Sequence, residues 1–178
     1  MTDYDVVLLV EQPLSELDAS QVRSLHEEID EQVLYHLLVP VAEVAQHLEA
    51  GMGALGTADV LAVPPVLTDP ESLREAQSGV LDEARTAVKA SIDAIIATGG
   101  RAVGDVVSID PIRALADKVA AVDAREAIIL TRPHVVAEFF HLDWTSRARR
   151  KLGVPVLHLL EHETFDEQAG EGEGISGF

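Results

Sequence analysis

The chain has 178 residues, 47% hydrophobic but only 4% aromatic, and carries a formal net charge of −18. That length suits one domain whose core is Val, Leu, Ile and Ala, the composition of a parallel sheet under Ala-rich helices. The acidic excess disfavours sequence-independent nucleic-acid binding and anionic membrane surfaces, and the absence of cysteine excludes disulfides, thiol catalysis and cysteine-ligated metal.

The opening MTDYDVVLLVEQ has no basic region and no cleavage signature, so no signal peptide is expected. No apolar run approaches the roughly 20 residues that span a bilayer, and a cytoplasmic location is the simplest expectation. Residues 4–10 are a continuous apolar run of buried-strand length. A helix follows over 17–32, with Val22, Leu25 and Ile29 at helical spacing on one face and acids on the other. A second strand covers 34–41 and stops near Pro40. The longest connection then holds a short helix over 44–50, an irregular stretch over 51–70 and a long helix over 72–98 closed by Gly99-Gly100. Strand three covers 102–109 and ends at Asp110-Pro111, where Asp110 caps and Pro111 opens a helix over 111–122. Leu115, Val119 and Val122 give that helix its core stripe. Strand four covers 127–130 and strand five 154–160. The βαβα rhythm and short connections predict α/β architecture with right-handed crossovers. The domain is expected to span 1–162, and the glycine- and acid-rich 163–178 to be a flexible tail.

The segment Thr131–Leu160, TRPHVVAEFFHLDWTSRARRKLGVPVLHLL, leads from strand four through a polar loop and an N-capped helix into strand five. It forms the last βαβ unit of an open sheet, where a loop and a helix N-terminus together can hold an anion. With the element order, it resembles the universal stress protein superfamily over residues 3–161. The resemblance implies five parallel strands in order 3-2-1-4-5, helices on both faces, and a ligand crevice between strands one and four. In that family a glycine motif, G-x-x-G, nine residues, then G-S/T, wraps ATP after strand four. The matching positions here are Thr131, His134, Trp144 and Thr145. Glycines there admit phosphate to bare backbone, so their replacement implies weak or absent ATP binding in the family's pose. By the same resemblance Glu11 stands near the family's nucleotide-contacting aspartate and Val41 near its adenine contact. Arg132, Ser146 and Arg147 complete the candidate set, which would take ATP or another adenine nucleotide, or a smaller anion. The resemblance further implies a homodimer through the last strand and a non-catalytic, stress- or signalling-associated binding module. The competing reading is an enzyme or nucleotide binder using a diverged site at Glu11, Thr131, Arg132, His134 and Thr145, and a third is a purely structural interaction module with no small ligand.

Other patterns point to plainer roles. Asp143 would cap the last helix and compete with an anion for its amides, with the cations from Arg147 to Lys151 complementing the helix dipole. Gly51-Met-Gly-Ala-Leu-Gly56 has the letters of a dinucleotide loop but follows a helix, so it reads as a loop. His134 and His141, like His158 and His162, lack ligand spacing. Residues four apart on a strand sit about 13 Å from one another, and no metal site is expected. Ser108 and Asp110 lack a nucleophile elbow, which argues against a hydrolase. Phe139 and Phe140, beside Trp144, suit core or interface. The loop Glu11-Gln12-Pro13-Leu14 lacks both the Ser-Gly-Gly loop of ATP pyrophosphatases and the phosphate loop of flavodoxins, which lowers an enzymatic reading.

Overall fold

The computed structural model describes residues 3–41, 70–108, 110–131 and 152–160, with residues 70–74, 76 and 77 described by backbone alone. In chain order the elements are β1 (Tyr4–Val10), α1 (Glu16–Ser24), β2 (Val33–Pro40), α2 (Pro70–Ala97), β3 (Arg101–Val107), α3 (Pro111–Val122), β4 (Glu126–Thr131) and β5 (Val156–Leu160). All pairings are parallel and the strand order is β3-β2-β1-β4-β5, as the resemblance implies.

The three inner strands read as near-continuous apolar runs because the sheet is covered on both faces. On one face Val6, Leu8, Val10, Tyr35, Leu37, Val39, Ile128 and Leu130 pack with Val22 of α1 and with Val88 and Ile95 of α2. The opposite face carries Val7, Leu9, Leu38, Ala127 and Ile129 against Leu115 and Val119 of α3. β3 forms one edge, and its alternate residues are exposed, Val103 to 47%. Gly104 lies tight against α2. A Cβ there would meet Val88 Cγ1 at 2.7 Å and Leu37 Cβ at 3.2 Å.

Helix ends follow local chemistry. Ser15 and Asp18 cap α1 reciprocally, with Asp18 N donating to Ser15 Oγ at 3.1 Å and Ser15 N to Asp18 Oδ2 at 3.0 Å. Asp110 caps α3 as expected, accepting from Ile112 N and Arg113 N at 2.9 and 3.1 Å, with Pro111 opening the helix. Gly99 adopts φ 81° just past α2, the left-handed conformation that ends a helix cheaply in glycine.

The first helix is shorter than its periodicity predicts. It ends at Ser24 and passes into a turn over 25–28, so Leu25 is 38% exposed rather than part of a core stripe. His26 takes the inward position instead. Its Nδ1 lies 2.9 Å from Val22 O and 2.8 Å from the Tyr35 hydroxyl, and its Nε2 meets the Glu126 carboxylate. This polar cluster joins α1, β2 and β4 at the amino end of the sheet, and it outweighs continuation of an apolar stripe. β3 ends at Val107 and β5 starts at Val156, each two residues inside its predicted span. The short helix over 44–50, the Gly51–Gly56 letters, the loop and helix after β4, Phe139, Phe140, the histidines 134, 141 and 162, and the tail lie outside the described residues.

Candidate functional site

The switch point of this sheet lies between β1 and β4, whose connections leave in opposite directions along the strand order. The two strands stay paired to their carboxyl ends, through Val10 beside Leu130. One residue further, Glu11 N donates to Leu130 O at 3.2 Å, which seats Glu11 at the crevice. β2 ends on the other side, where Val41 N donates to Val107 O at 2.9 Å and Val41 is buried. Thr131 closes β4 and is also buried. Glu11, Val41 and Thr131 therefore gather at one end of the sheet. Arg132, His134, Trp144, Thr145, Ser146 and Arg147 lie outside the described residues.

Two features of this end are not apparent in the sequence. Leu14 N donates to Ser91 Oγ of α2 at 3.0 Å, and Ser91 Oγ donates in turn to Ala87 O at 2.8 Å. The first contact links the segment that leaves the crevice to the long helix, the second lies within that helix, and Ser91 is fully buried. Thr131 Oγ1 lies 2.7 Å from Nε2 of His158 on β5. Burial holds the His158 imidazole below the usual histidine pKa, because the charged ring would lose its hydration. At neutral pH the ring is uncharged and offers one donor and one acceptor. The spacing of His158 and His162 shows nothing of this pair, since it depends on the register that sets Thr131 beside Leu160.

The chemistry at this end is polar among the described residues. A carboxylate at Glu11, a hydroxyl at Thr131 and a neutral imidazole can receive hydroxyls and amines. No group of three or more His, Cys, Asp or Glu that could hold a metal occurs among the described residues. Two open clefts lie away from the crevice: one of about 430 Å³ between the end of β3 and α3, and one of about 330 Å³ at the amino end beside Arg23 and Arg101. No described helix is long and apolar enough to cross a membrane.

No family model matches the chain, and no curated protein matches it. Solved structures do. A universal stress protein family protein from Arabidopsis thaliana, solved with AMP bound, is 13% identical over 92% of this chain and 94% of its own, with a TM-score of 0.51. A universal stress protein from Archaeoglobus fulgidus is 15% identical over 88% of this chain and 93% of its own, with a TM-score of 0.46. The protein from that organism solved with dAMP is 13% identical, covering 89% and 98%, with a TM-score of 0.43. Sheet order, parallel pairing and the match to the Arabidopsis protein together establish that this chain has the fold of the universal stress proteins.

Proposed function

We propose that this protein is a non-catalytic binding module of the universal stress protein kind, cytoplasmic and stress- or signalling-associated, that holds its ligand in the crevice between β1 and β4. The observation that carries this is the gathering of Glu11, Val41 and Thr131 at the carboxyl ends of strands around the switch point, where open α/β sheets bind ligands. Glu11 offers carboxylate oxygens that accept hydrogen bonds from ligand hydroxyls, and the backbone at Val41 lines the β2 side. The ligand proposed is an adenine nucleotide with few phosphates, or a small anion. The AMP bound to the Arabidopsis protein of the same fold supports the nucleotide. The replaced glycines at Thr131, His134 and Trp144 weigh against a triphosphate in the same pose. A homodimer through β5 belongs to this reading, because β5 is an edge strand with few charges to resist pairing.

Native mass spectrometry of protein purified from its own host, followed by titration with AMP, tests the ligand. Co-purification of an adenine nucleotide, or saturable AMP binding, is expected. A protein that carries nothing and takes up no AMP at millimolar concentration would instead be an interaction module without a small ligand.

A further inference from the structure

The β5 side of the crevice holds a polar pair, Thr131 and His158, of which only Thr131 falls on a position that carries the family resemblance. Thr131, at 6% exposure, is the last residue of β4, and its Oγ1 lies 2.7 Å from His158 Nε2. Thr131 stands beside Leu160 and His158 beside Ile129, so the bond runs diagonally between neighbouring strands on one face of the sheet. Thr131 therefore faces two ways. Its backbone ends the strand that borders the switch point, and its hydroxyl is held by the edge strand. A hydroxyl bonded to a neutral imidazole keeps one rotamer, and either its hydrogen or one lone pair is committed to the ring.

We propose that His158 is a positioning residue for the crevice: by bonding Thr131 Oγ1 it fixes the place and polarity of the hydroxyl at the carboxyl end of β4, and so sets how a polar group of the ligand is received there. The inference rests on the adenine-nucleotide reading of the crevice. A tie that merely joined β4 to β5 would leave ligand affinity unchanged, whereas a positioning role couples the two side chains in binding.

Calorimetric titration of the full chain with AMP separates the two, using Thr131→Val, His158→Val, the double variant and His158→Gln. Each valine variant is expected to weaken AMP about fivefold, the loss that one neutral hydrogen bond supports. The double variant should be no weaker than either single one, because both remove the same bond. Glutamine, whose amide reaches the Nε2 position, should restore affinity to within about twofold of the unsubstituted chain. In ligand-free protein, the ring nitrogen shifts of His158 should move in Thr131→Val, a signature that keeps the test open if His158→Val does not fold. Unchanged AMP affinity in the valine variants, additive losses in the double variant, or an unmoved His158 shift each overturn the proposal. If the unsubstituted chain takes up no AMP, the nucleotide reading falls and this inference with it. If it binds AMP and the variants bind alike, the inference alone falls.

Discussion

Tyr35 shows how a single buried group shapes stability. Its ring is fully buried, with its hydroxyl 2.8 Å from His26 Nδ1, and burial pushes its pKa up to about 12. The folded state thus resists ionisation while the unfolded chain loses its proton from about pH 10. Stability is full below pH 10 and falls as pH rises towards 12, by up to ~2–3 kcal/mol. Tyr35→Phe should lower stability at neutral pH by about 1 kcal/mol, through the lost hydrogen bond, and flatten the alkaline fall. Urea unfolding between pH 8 and pH 11.5 would show both effects; a variant as alkali-sensitive as the parent contradicts this account. His158 acts at the other end of the scale. Its pKa is lowered by burial, so its neutral form stabilises the fold above about pH 6.5, and that contribution is lost as pH falls through the folded-state value. His158→Gln should reduce acid sensitivity in urea unfolding carried out below about pH 6.5. Gly104 is a steric case. Alanine there must displace Val88 and Leu37, and thermal unfolding should show a loss of ~1–3 kcal/mol.

At the scale of elements, helix boundaries follow capping chemistry that is readable in the residues. Asp110-Pro111 opens α3, and Asp110→Ala should cost about 1 kcal/mol by chemical denaturation, since two backbone donors lose their acceptor. The end of α1 was not readable, because apolar periodicity continues to Ile29 while the chain turns after Ser24. His26 decides that turn through partners on β2 and β4 that are distant in sequence. β5 carries the proposed dimer. Ala127 N donates to Pro155 O at 2.9 Å, so by strand alternation Pro155 and Leu157 bond towards β4 and Val156 directs its N–H to the open edge. Val156→Pro would then remove an outward donor while sparing the ladder to β4. Sedimentation should show a dimer of the parent chain at micromolar concentration and a shift towards monomer in the variant. A monomeric parent would falsify the dimer.

For the whole molecule, charge and site composition act together on ligand choice. The net charge of −18 opposes a polyanion, although salt screens that repulsion beyond about 10 Å. On the proposed correspondence of Thr131, His134 and Trp144 to the glycines of the family's motif, Mg-ATP is expected to bind far more weakly than low micromolar, or not at all, in calorimetry. Low-micromolar binding weakened by Thr145→Ala would reverse that expectation. Glu11, Val41 and Thr131 meet at one end of the sheet only because β1 runs between β2 and β4.

The sequence by itself determined the class of this protein. Runs of buried-strand length alternating with helix-length segments leave few arrangements open, because a strand that is apolar on both faces must be covered on both. Capping and helix-ending residues are local interactions, so Asp110, Pro111 and Gly99 carried their structural meaning within a few positions of chain. Registers and long-range polar partners belong to the tertiary structure alone. Thr131 finds His158 27 residues away, Leu14 finds Ser91 at a separation of 77, and His26 finds Glu126 at 100. Each pair depends on the relative placement of strands and helices, which is set by packing summed over two core faces rather than by any local signal.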